Sequence, residues 1–173
     1  MKRLFIRFFR NFNIRHLVIC LIISAVVYLI VLIGQKEKRS KWFSGRALAA
    51  AVLAVYYYLI ILYTIVFRPV YKAPRYHLEL FWSYRKVLDG SSYLVYEIVL
   101  NYVLLFPVGL LLPIVSRRGF WFTMVIGLLT SVGIECSQLL LRRGLFEFDD
   151  IIGNVFGVVI GYLVYKIIRK KVF

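Results

Sequence analysis

Residues 131–162, SVGIECSQLLLRRGLFEFDDIIGNVFGVVIGY, read as two apolar segments joined by a short charged loop. Glu135, Gln138 and Asn154 sit inside the apolar parts. Groups of that kind are costly in hydrocarbon, so each needs a partner or a task. Ser131, Glu135 and Gln138 stand at i, i+4 and i+7 and share one helical stripe, with Arg142 a further turn along. Past the loop, Gly153, Gly157 and Gly161 recur every four residues, the small-xxx-small pattern that lets helices approach closely. Asn154 borders that stripe and follows Asp150 by four. Close packing of the two segments would carry Asp150 and Asn154 toward the Glu135 stripe. Asp149 and Asp150 precede the second segment, where a helix N-terminus favours negative charge and a capping carboxylate.

Composition carries the reading outward. With 62% hydrophobic residues, a mean hydropathy of +0.81 and several apolar runs near bilayer length, the chain cannot form an ordinary soluble domain. The expectation is an all-α polytopic membrane bundle with five transmembrane helices, at about 17–33, 47–67, 93–115, 120–141 and 151–168. The first run resembles a signal-peptide core, but it is too long and lacks an A-x-A site, so it reads as a retained helix. Ahead of it, 1–16 interleaves basic residues with Phe and Ile and reads as an interfacial segment. The basic loop after it carries Trp42 and Phe43 as interface anchors. Residues 68–92 are too polar to span and read as a membrane-surface loop with a short amphipathic piece, closed by an Asp89-Gly90 turn. His77 lies there with no companion His or Cys, which suits an interfacial residue better than a ligand.

The net charge of +15 fits cations at helix ends facing anionic lipid headgroups, and no nucleic-acid module accompanies it. Cys20 and Cys136 both fall in spans and suggest neither a disulfide nor thiol chemistry. Basic residues divide almost evenly between the two sides of a five-span topology, so the positive-inside rule does not orient the chain. The short basic loops at 36–46 and Arg117-Arg118, with the basic tail, favour a cytoplasmic C-terminus and an outward-facing acidic loop.

The third span holds Glu97 and Asn101 one turn apart, then Pro107 and Gly109, and Pro107 is expected to kink the helix or free a carbonyl. Asn101 followed by LLFPVGLLLP, then SxxxExxQ, the charged loop ending at Asp150 and xxxNxxGxxxGY together resemble the VanZ-like family, named for a protein associated with teicoplanin resistance in Gram-positive bacteria. The resemblance covers roughly Leu59 to Tyr162 and leaves the first span and the N-terminus outside. Arg68, Asn101, Pro107, Gly109, Glu135, Gln138, Asp150, Asn154, Gly157 and Gly161 match its pattern, while the Arg142-Arg143 pair leaves the register of one arginine open and Glu97 has no place in it. It implies a small integral protein of the cell envelope, linked to lowered glycopeptide susceptibility.

Three accounts of the polar residues stand side by side. In the first, Asn101, Glu135, Gln138 and Asn154 satisfy one another and only specify packing. In the second, Arg68, Arg142 and Arg143 hold the phosphate of a lipid-linked wall precursor or an anionic headgroup, with Asn101, Gln138 and Asn154 lining the site. In the third, Glu135 or Asp150 is a catalytic base or a carboxylate ligand for a divalent cation. No metal-ligand cluster, serine-histidine pair or phosphate loop is written in the sequence, and it names no cofactor. An internal repeat of the transporter kind is also missing. The small-residue faces suit packing within one chain or between chains, so they set no oligomeric state.

Overall fold

A computed structural model describes residues 10–34 and 42–172, apart from the side chains of 42–44, 171 and 172. Most of the basic N-terminal segment and the anchoring roles of Trp42 and Phe43 lie outside the described residues. Five helices are long and apolar enough to cross a membrane. They are α1 (Ile14–Gly34), α2 (Trp42–Ile61, extended by a π-helical turn at Leu62–Val66), α4 (Ser92–Ser116), α5 (Phe120–Leu140) and α6 (Phe148–Val172). A short helix, α3 (Trp82–Leu88), and two strands, β1 (Tyr76–His77) and β2 (Phe146–Glu147), complete the fold. The all-α membrane bundle expected from the sequence is the observed architecture.

The helix ends follow local chemistry. Asn13 caps α1, its side-chain oxygen accepting the Arg15 N–H at 3.1 Å, so the helix starts ahead of the purely apolar run. His16 then ties α1 to α2 through the Tyr58 hydroxyl at 2.7 Å and an edge contact with Phe67. In α2 the small side chains of Ala47, Ala49, Ala50 and Ala51 are buried, and the helix widens into the π turn, where the Phe67 N–H reaches the Leu62 carbonyl at 2.9 Å. Pro69 stops it. Helix α4 continues through Pro107 and Pro113, and the Tyr56 hydroxyl donates to the Leu104 carbonyl at 2.8 Å in the turn before Pro107.

The polar stretch between α2 and α4 folds over one end of the bundle. There β1 pairs in parallel with β2, Tyr76 opposite Phe146 and His77 opposite Glu147. The Asp149 carboxylate holds the start of α3, accepting the backbone N–H groups of Phe81 at 2.6 Å and Ser83 at 2.9 Å, and the Ser83 hydroxyl. Asp149 therefore caps a neighbouring helix rather than its own. The glycine stripe also turns a different way from the one expected. A Cβ at Gly157 or Gly161 would strike the backbone of Tyr102 or Phe106 on α4, and Gly153 lies against Asn101. The stripe thus closes α6 onto α4, the most extensive helix contact in the fold. Helix α5 meets α6 through Gly127 against Val158 and through the polar residues described next. Leu53, Ile60, Leu105, Val108, Ile134 and Val158 form the apolar core where α2, α4, α5 and α6 converge.

Candidate functional site

Ser131, Glu135 and Gln138 are all buried on α5, each at most 2% exposed, and each reaches a different element. The Ser131 hydroxyl accepts the Asn154 amide N–H from α6 at 3.0 Å. One Glu135 oxygen accepts the Glu147 backbone N–H from β2 at 3.1 Å. The Gln138 amide donates to the Thr64 carbonyl at 3.2 Å, inside the π turn of α2. A fourth bond joins α4 to α6, Asn101 Nδ2 donating to Asp150 at 2.5 Å. The polar residues of four helices thus converge at one end of the bundle. They surround a cavity of about 260 Å³, lined also by Tyr56, Tyr63 and Thr64. Leu100 and Val103, 40% and 55% exposed, place its rim on the outer surface of α4.

The three arginines separate into different roles. Arg68 lines the cavity, and its charge acts on both Glu135 and Asp150. Its Nε is buried and has no hydrogen-bond partner. Arg143 points elsewhere: its Nη1 donates to the carbonyls of Val66, Ile65 (3.3 Å) and Arg68 (3.2 Å), capping the end of α2. Arg142 is exposed, in a left-handed conformation with φ 55°, and makes a long contact to the Lys72 carbonyl at 3.3 Å. It has left the α5 stripe because that helix ends at Leu140. Of the three arginines expected to hold a phosphate, Arg68 lines the cavity and Arg142 and Arg143 do not.

Gly144 lies beneath the site at φ 136°, and a Cβ there would come within 2.6 Å of Gln138 Oε1 and 3.0 Å of Arg68 Nη1. No signal in the sequence marks it, since it lies four residues beyond Leu140 and the left-handed position just past α5 is taken by Arg142. Tyr56, Tyr63 and Thr64 were equally unassigned, since they look like any other interfacial or apolar-face residue. Glu97 accepts the Tyr93 hydroxyl at 2.6 Å and stands beside the cavity rather than in its lining.

Two buried acceptors in the cavity wall, Gln138 Oε1 and Asn154 Oδ1, have no hydrogen-bond partner, though both side chains are 1% exposed. Asp150 and Glu135 add carboxylate oxygens, so acceptors outnumber the single guanidinium. Chemically the site can take hydrogen-bond donors or positive charge at the carboxylates and amides, and an anion at Arg68. Among the described residues, no three His, Cys, Asp or Glu side chains converge in a metal-binding group. Just outside the spans, burial pushes the Glu147 carboxyl up to about 8, reinforced by the charges of Asp150, Glu97 and Asp149 and opposed by the Trp82 indole.

A family model for VanZ/LLP1 matches residues 17–169, nearly the whole chain. The matched range takes in α1, which the motifs alone left outside the resemblance. No curated protein and no solved structure is significantly similar to the chain.

Proposed function

The chain belongs to the VanZ/LLP1 family, and from that premise we propose that its cavity binds the polar headgroup of an envelope lipid or lipid-linked wall precursor, and that this binding lowers susceptibility to glycopeptides such as teicoplanin. One observation carries the reading: Gln138 and Asn154 keep unpartnered oxygens in a cavity beside an unpaired Arg68 Nε. A purely structural polar cluster would satisfy its members, because an unpaired buried polar atom costs about 1–3 kcal/mol. The exposed apolar rim at Leu100 and Val103 suits the acyl or prenyl part of such a molecule, left in the bilayer while its headgroup enters. The cavity lies at the end of the bundle bearing the acidic loop. On the orientation favoured by the basic loops and tail, that end faces outward, where glycopeptides and finished wall precursors meet.

A second reading, in which the polar residues only fix packing, draws on the four hydrogen bonds that each join two elements. The two are separated by Glu135→Gln, Asp150→Asn and Asn154→Ala variants, with membrane abundance measured beside teicoplanin susceptibility. Retained protein with a lost phenotype supports the site. Abundance falling in step with phenotype supports packing alone. If the unaltered chain leaves susceptibility unchanged in a sensitive host, the glycopeptide part of the proposal is refuted. Single cysteines between Arg143 and Asp149, labelled in intact cells by an impermeant reagent, test the orientation; labelling of a tail cysteine instead reverses it.

A further inference from the structure

The cavity holds a guanidinium and two carboxyl groups without bonding them to one another. Arg68 faces Glu135 and Asp150, yet no ion pair or hydrogen bond joins it to either carboxylate, and among the described residues the ion pair formed is the exposed Arg85–Glu79 contact. Asp150 is held by Asn101 and Glu135 by the backbone of Glu147, so both carboxylates are fixed in place by neutral donors. Gly144, by lacking a side chain, leaves the Arg68 guanidinium room beside Gln138. The pocket therefore has a cationic donor and a larger set of acceptors: two carboxylates and the free oxygens of Gln138 and Asn154.

A plain anionic headgroup matches half of this arrangement. Its phosphate would meet Arg68 and leave the carboxyl and amide oxygens of the pocket without a donor. A headgroup bearing both a phosphate diester and a primary ammonium matches all of it: the diester accepts from the guanidinium, and the ammonium gives its three N–H donors to carboxylate and amide oxygens. The volume of about 260 Å³ lies below the roughly 300–1,000 Å³ of drug-sized pockets, which suits a small headgroup whose tails stay outside.

We propose that the cavity selects zwitterionic lipids carrying a phosphate diester and a primary ammonium, with Arg68 as the phosphate donor and Glu135, Asp150, Gln138 and Asn154 as the ammonium acceptors. The inference rests on the lipid-binding reading above and specifies its ligand. The test titrates the full chain in detergent with short-chain phosphatidylethanolamine, phosphatidylcholine and phosphatidylglycerol, followed by native mass spectrometry. Phosphatidylethanolamine is expected to bind about tenfold tighter than phosphatidylglycerol, and tighter than phosphatidylcholine, whose quaternary ammonium has no N–H donors. Glu135→Gln and Asp150→Asn keep the oxygens that receive Glu147 and Asn101, and should abolish that preference while phosphatidylglycerol binding persists. Arg68→Gln should weaken all three lipids. Equal binding of phosphatidylethanolamine and phosphatidylglycerol overturns the selectivity and leaves lipid binding standing. Equal binding of phosphatidylethanolamine and phosphatidylcholine overturns the role of the N–H donors. Binding of none of the three, by a chain that remains folded, overturns both proposals.

Discussion

Replacing Arg143 by alanine should destabilise the bundle without touching the cavity. The guanidinium Nη1 serves the carbonyls of Ile65 and Val66, which end the π turn of α2 and have no further helical N–H to meet, and that of Arg68 just beyond it. One nitrogen carries two protons, so three acceptors amount to about two charge-assisted bonds, each worth roughly 1.5–3 kcal/mol. Val66 is exposed and water can replace part of that loss, which brings the expected cost down to about 2 kcal/mol. For a chain of this size the corresponding fall in melting temperature is about 4–8 °C. The assay is thermal unfolding of the detergent-solubilised protein, with Arg142→Ala as the comparison. Arg142 is exposed and its side chain makes a long contact at 3.3 Å, so its removal should change stability by less than about 0.5 kcal/mol. Arg143→Lys should recover part of the loss, since an ammonium can still reach a carbonyl but lacks the planar fork. Equal stability of Arg143→Ala and Arg142→Ala, together with lost lipid binding in Arg143→Ala, would refute the capping role and return Arg143 to the site.

Two glycines on adjacent helices should respond to alanine with opposite signs. Gly157→Ala drives a methyl into the Tyr102 backbone and should cost about 1–3 kcal/mol, whereas Gly133→Ala meets open space and should gain up to about 1 kcal/mol in helix propensity; denaturant titration in mixed micelles that gives both the same sign counts against the α4–α6 packing described. Asp149→Ala removes three acceptor contacts from the start of α3, so amide exchange over 81–88 should accelerate while exchange in α4 holds; unchanged protection at Ser83 would show that the carboxylate is dispensable. Glu147 has a folded-state pKa near 8 against an ordinary 4.5, so its contribution to stability is full below about 4.5 and is lost as pH rises through 8. Unfolding midpoints should therefore fall between about pH 4.5 and 8 and level off above that, and Glu147→Gln should flatten that slope; an identical slope in the variant assigns the effect elsewhere.

The spans were legible because bilayer length and unbroken apolarity are local properties, readable without knowing what any helix touches. The stripe of Ser131, Glu135 and Gln138 was legible for a similar reason, since helical periodicity puts i, i+4 and i+7 on one face whatever lies opposite. What lies opposite is a tertiary fact. The spacing of Gly153, Gly157 and Gly161 announces a close contact, but α4 and α5 are both available to α6, and the carbonyls of Tyr102 and Phe106 decide for α4. Asp149 and Asp150 are adjacent in sequence and equally acidic, yet one holds α3 and the other faces the cavity.

The arginines make the sharpest case. Arg68, Arg142 and Arg143 looked equivalent as charge, and three guanidiniums would have made an anion site. The fold commits Arg143 to the end of α2, and the termination of α5 at Leu140 turns Arg142 outward. One guanidinium then faces two carboxylates and two unpaired amide oxygens. That arithmetic alters the chemistry the site can accept: an anion bound through Arg68 would meet one donor and leave the carboxyl and amide acceptors unfilled, unless it carries its own N–H donors to meet them. The ligand class thus follows from which cations the backbone consumes, a quantity that becomes visible only once the helix ends are located.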